Sequence, residues 1–85
     1  MSKYKLARLV KDRDSAFTHA VMTDDFKPVL SYCKRYGVPI PKDKRVMQAG
    51  VYKAVQECIS IPESVKVLAM EKCIGLGFQP TIWGE

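Results

Sequence analysis

Long apolar runs are missing from this 85-residue chain, and the charged start (Lys3, Lys5, Arg8) leads into no apolar stretch. Neither a membrane span nor a secretory signal is therefore expected, and the matching expectation is a cytoplasmic protein. Histidine is represented once, by His19, and tryptophan once, by Trp83. No glycine-rich phosphate loop, nucleophile–base pair or acidic pair following a strand is visible, so the expectation is that the chain is not an enzyme. His19 lies between Phe17 and Val21 on a helical pattern and reads as a surface or boundary residue. The three cysteines, Cys33, Cys58 and Cys73, are odd in number and widely spaced, which does not suit a secreted disulfide framework. They contain no CxxC half-site, so reduced thiols on apolar helix faces are expected, with no metal and no cofactor.

What is present is ordinary for a folded domain. The composition is 47% hydrophobic and 27% charged, with five Gly and five Pro. At this length the chain forms one domain, residues 1–85, with a small core that uses most of its apolar side chains. No internal repeat or low-complexity tract divides it.

Helical periodicity dominates. Leu6, Leu9 and Val10, then Phe17, Ala20 and Val21, repeat at helical spacing, which allows one helix or two broken near Asp14 and Ser15. A second helix is expected from an Asp25 cap, with Pro28 at its third position, an inner stripe of Phe26, Val29, Leu30 and Cys33, and Gly37 as the left-handed stop. Pro39 and Pro41 make "VPIP" an extended strap, with Val38 and Ile40 expected to pin it to the core. A third helix should run from about Asp43 to Cys58 on Met47, Val51, Ala54, Val55 and Cys58, with Gly50 permitting close approach of another backbone. "SIPE" reads as a capping box with Ser60 as N-cap and Glu63 at N3, opening a fourth helix through Val65, Leu68, Ala69 and Cys73. "GLGF" should end it with Gly77 at C′ and Phe78 folding back, and Pro80 prevents continuation. The fold class is all-α, a compact bundle of four to five short helices.

Charge is uneven along the chain. Residues 1–45 carry eleven Lys/Arg against five Asp/Glu, while residues 46–85 carry three against four. Lys42, Lys44 and Arg45 crowd the start of the third helix, where N–H groups and cations together make an anion site suited to phosphate. With Arg8, Lys11 and Arg13 in support, and Lys34 and Arg35 also upstream, a basic face for nucleic acid or another polyanion is expected. A helix-turn-helix reading of residues 51–72 fits poorly, because Cys58 stands where the turn wants Gly and the would-be recognition helix mixes Glu63 and Glu71 with Lys66 and Lys72. The alternative is a protein-interaction module. Tyr52 and Trp83 fall off the core stripes and are the interface anchors it would use, toward a second copy or a host or phage protein.

The series "YCKRYGVPIP", "AGVYKA", "SIPESVK" and "GLGFQP", over residues 25–80, resembles small uncharacterised proteins encoded in prophages and other mobile elements of Gram-positive bacteria. The resemblance carries no catalytic motif. It implies the setting of a phage accessory protein that binds nucleic acid or a host factor, including inhibitors of host defence.

Overall fold

The computed structural model describes residues 3–78, which form four helices and no strand: α1 (Lys3–Thr23), α2 (Lys27–Tyr36), α3 (Lys44–Gln56) and α4 (Glu63–Gly75). The side chains of Lys3, Tyr4 and Lys5, and the expectations for Pro80, Ile82 and Trp83, lie outside the described part. The architecture is the all-α bundle expected, with four helices among the described residues.

The first segment is one helix. No Gly or Pro interrupts it, and the polar side chains that would cap a second start are used sideways. Asp14 pairs with Arg13 at 3.0 Å, while Asp12 accepts from the Tyr36 hydroxyl at 2.7 Å and from Arg35 at 3.3 Å. One buried stripe, Ala16, Phe17, Ala20 and Val21, continues from half-buried Leu9, leaving nothing to gain from a break. Asp24 ends the helix at φ 60°. It is one of the few residue types that tolerate the left-handed region. There its carboxylate meets Lys72 of α4 at 2.8 Å, and Lys72 Nζ also donates to the Val21 carbonyl.

Asp25 is not the N-cap of α2: the helix begins one residue later, Phe26 is its boundary residue with no side-chain cap bond, Pro28 falls at the second position rather than the third, and Asp25 accepts from the Lys27 amide at 3.1 Å from one residue further out. Gly37 stops it at φ 68°, with its own amide and that of Val38 both donating to the Cys33 carbonyl. Asp43 caps α3 through its carboxylate, which accepts from the amides of Arg45 and Val46. The capping box at Ser60 does not form. Ile61 is buried, which requires a turn over residues 58–61 and turns Ser60 to solvent, so α4 opens from Pro62, whose carbonyl accepts from Val65 and Lys66. At its far end Gly77 (φ 88°) and Phe78 donate to the carbonyls of Ile74 and Cys73, the paired Schellman bonds the sequence suggested.

The packing falls into two antiparallel pairs. Asp12 with Tyr36 and His19 with Asp25 join α1 to α2, and Gln56 with the Lys66 carbonyl and Arg45 with the Leu76 carbonyl join α3 to α4. The pairs meet where α1 packs on α3 and α4, and Ala20, Val21, Val55, Ala69 and Cys73 are fully shielded there. Small alanines let the helix axes approach closely. The backbones of α2 and α3 do not pack on each other. Residues 37–43 bridge that gap.

Three expectations change here. Val38 and Ile40 are 40% and 42% exposed, because the strap spans the gap and its side chains wall it rather than fill it. A Cβ built on Gly50 meets nothing within 4 Å, so no neighbouring backbone requires that glycine. Tyr52 is buried against Phe26, edge to face at 6.0 Å, because α3 is covered on more than one side and its core stripe is wider than a simple heptad pattern predicts.

Candidate functional site

The most basic stretch of the chain is narrower than its N-terminal half. Between Asp25 and Glu57 there are seven Lys/Arg and a single acid, Asp43, whose carboxylate caps α3. Two of the seven are occupied. Arg35 pairs with Asp12, and Arg45 donates to the Leu76 carbonyl and lies 5.7 Å over the Phe78 ring, closing the C-terminal end of α4. Lys53 lies over the same ring at 5.7 Å. Lys34, Lys42 and Lys44 are exposed and make no ion pair among the described residues. All three flank the α2–α3 bridge.

The anion site anticipated at the start of α3 is altered in its chemistry. Two of its first-turn amides, those of Arg45 and Val46, already donate to the Asp43 carboxylate, so a phosphate arriving here would meet chiefly lysine side chains. Arg45 is turned away to α4 and belongs to the fold.

The sequence cluster Arg8, Lys11 and Arg13 stands elsewhere. Lys72 ties the C-terminal end of α1 to α4 and Arg45 ties α3 to that same end of α4, while Ser60 borders Leu6, Ala7, Val10 and Lys11 at the opposite end. Thirteen residues from Arg8 to Val21 correspond to about 20 Å of helix at 1.5 Å per residue. The two cationic groups thus occupy opposite ends of the bundle, and Arg13 is tied to Asp14. Proximity in sequence does not become one face.

The α2–α3 gap itself is a cleft of about 260 Å³. Phe17 floors it, Val29, Leu30 and Cys33 form one wall, Met47, Gly50, Val51 and Ala54 the other, and Val38–Pro41 run along its edge. Every side chain lining it is apolar, and Leu30, Val38 and Ile40 among them are exposed. Sequence periodicity pointed to the helical lining residues as core, and Phe17, Val29, Cys33 and Val51 are buried; the missing α2–α3 contact leaves Leu30 exposed beside the strap.

A second depression of about 290 Å³ lies beside His19, lined by Asp12, Ser15, Ser31, Tyr32 and Arg35 among others. Its groups serve the fold. His19 Nε2 lies 3.2 Å from Asp25, and no serine among the described residues hydrogen-bonds the ring. The Tyr36 hydroxyl donated to Asp12, reinforced by Arg35 and Arg8, holds that carboxyl below its usual range against some desolvation, and the same bond pushes the Tyr36 phenol up. The Lys27 amide and then His19 lower Asp25. No nucleophile is activated by this arrangement.

Burial raises the thiols of Cys33, Cys58 and Cys73, all of them free of disulfides. Among the described residues no group of three His, Cys, Asp or Glu could hold a metal ion, and no helix is long and apolar enough to cross a membrane. Of the two anchors expected for a protein interface, Tyr52 is in the core and Trp83 lies outside the described residues.

Compared with known protein families, curated proteins and solved structures, the chain shows no significant match to any of them.

Proposed function

We propose that this is a non-enzymatic binding protein that contacts nucleic acid or another polyanion through Lys34, Lys42 and Lys44 at the α2–α3 bridge. The observation that carries the reading is the charge of that stretch: seven cations against one acid, the acid consumed as a helix cap, and four lysines exposed without an ion pair among the described residues, Lys27 at the start of α2 and Lys34, Lys42 and Lys44 flanking the bridge. Flexible lysine ammonium groups act as point charges on phosphates and read no sequence. Arg8 and Lys11 lie far from Lys42 and Lys44 at the start of α3, while Lys34 stands nearer to them, since its neighbour Arg35 reaches Asp12 one turn from Arg8. The phage setting that the resemblance implies suits a small binding protein of this kind, acting in the cytoplasm.

The test is a salt series of binding to labelled duplex and single-stranded DNA and to RNA. Neutralising three phosphates predicts a slope of about −2.7 in log affinity against log salt for duplex DNA, a loss of about 40-fold between 50 and 200 mM. Binding that is flat in salt, or absent at low salt, contradicts the reading.

A second reading, a protein-interaction module, is favoured by one observation, the wholly apolar cleft with exposed Leu30, Val38 and Ile40 beside it. It would serve a second copy or a host factor.

A further inference from the structure

We propose that the α2–α3 cleft docks an amphipathic helix of another protein, two of whose apolar side chains enter it while neighbouring Asp or Glu residues meet Lys34, Lys42 and Lys44. The proposal goes beyond the polyanion reading and does not depend on it, because the cleft and not the charge supplies its apolar half.

Four observations select this occupant. The first is charge complementarity. Lys34 stands one turn beyond cleft-lining Leu30 on α2, Lys44 one turn before cleft-lining Met47 on α3, and Lys42 directly after Pro41. An apolar mouth rimmed by three cations favours an apolar ligand that carries negative charge beside its apolar groups.

The second is size. An apolar cavity of about 150 Å³ takes one benzene, so about 260 Å³ takes two leucine- or phenylalanine-sized groups. Small-molecule sites run from about 300 to 1,000 Å³ and enclose most of the ligand. This cleft is smaller, and Leu30, Gly50 and the whole strap beside it face solvent. Its dimensions suit side chains projecting from a larger body.

The third is the strap. Pro39 and Pro41 have no N–H to donate, so the extended edge is a poor template for an added strand, which favours a helix as the docked element. The fourth concerns a second copy of this chain. A symmetric pairing through the cleft would set each lysine rim against its own copy in a chain of net charge +5, which disfavours self-association here.

The test uses the full chain and three labelled alanine-based model helices: one with leucines at i and i+4 flanked by glutamates, one with those leucines replaced by alanine, and one with the glutamates replaced by lysine. Binding is read by fluorescence anisotropy and by amide shift changes. A Gly50→Leu variant serves as the control, since Gly50 lines the cleft, a Cβ there meets nothing within 4 Å, and leucine is a better helix former than glycine. The Leu–Glu helix is expected to bind and to shift the amides of Val38, Ile40, Met47 and Val51, the other two about tenfold more weakly or worse, and Gly50→Leu to weaken the first by about tenfold or more. Equal binding of the Glu–Ala helix would reduce the site to a charged patch and overturn the proposal, as would equal binding of the Leu–Lys helix, indifference to Gly50→Leu, or no binding by the Leu–Glu helix. Duplex DNA binding by Gly50→Leu, which keeps every lysine, reports separately on the polyanion reading.

Discussion

Replacing Gly50 and Gly37 one at a time by alanine makes the same chemical change in two backbone settings and should move stability in opposite directions. At Gly50 the helix is regular, φ is negative and the new methyl meets nothing within 4 Å. Only the helix propensity changes, so Gly50→Ala should stabilise by about 1 kcal/mol. At Gly37 the added methyl also meets nothing, but φ is 68°, where a non-glycine residue costs roughly 1–2 kcal/mol. Part of that is offset because alanine restricts the unfolded chain by about 0.4–1 kcal/mol, leaving Gly37→Ala destabilised by about 1 kcal/mol. In urea, with a slope of about 1 kcal/mol per molar for so small a protein, the midpoints should separate by about 2 M, with the wild type between them. A Gly50→Ala chain less stable than wild type would refute the reasoning. It would mean that α3 is approached closely at that point, as the sequence first suggested, and that the cleft is narrower than described.

The three thiols, buried and pushed up in pKa, should resist an alkylating reagent in the native state and all react once the chain is unfolded; fast native labelling of any one contradicts its burial. Asp12 and Asp25 have folded pKa values below their unfolded ones, so their contribution is complete above about pH 4 and disappears as pH falls through the folded values. Tm should therefore drop on acidification from pH 5 to 3, and Tyr36→Phe should lower Tm at pH 7 and flatten part of that drop; an unchanged profile in Tyr36→Phe would remove the hydroxyl as its cause. Arg45→Ala should lower Tm by freeing the end of α4 yet leave DNA affinity closer to wild type than Lys44→Ala does, and the reverse order would return Arg45 to the binding surface. Val55→Ala, at a fully shielded core position, should cost about 2 kcal/mol in denaturant titration.

Much of the fold was legible because it rests on local rules. The left-handed glycines at 37 and 77, the Asp43 cap and the apolar stripes of α1 and α4 each follow from short-range sterics or periodicity. The errors arose where a distant contact decided the outcome. Burial of Ile61 overrode the capping box at Ser60, and coverage of α3 by two neighbours drew Tyr52 inside. The candidate site was legible only as a list of cations. Sequence distance grouped Arg8, Lys11 and Arg13 with Lys42, Lys44 and Arg45, yet an unbroken α1 carries the first group to the far end of the bundle. The cleft left no signal, because its helical walls read as core and largely are core; it opens only because the backbones of α2 and α3 do not pack on each other.

The central claim is that the α2–α3 bridge, and not the N-terminal half at large, is the working surface. Its most direct test compares the duplex DNA affinity of Lys34→Ala/Lys42→Ala/Lys44→Ala with that of Arg8→Ala/Lys11→Ala at one low salt concentration, beside the wild type. The account predicts that the bridge variant loses most of the affinity and that its salt slope falls from about −2.7 toward zero, while the α1 variant loses much less. Equal losses in the two variants, or a larger loss in the α1 variant, would contradict it.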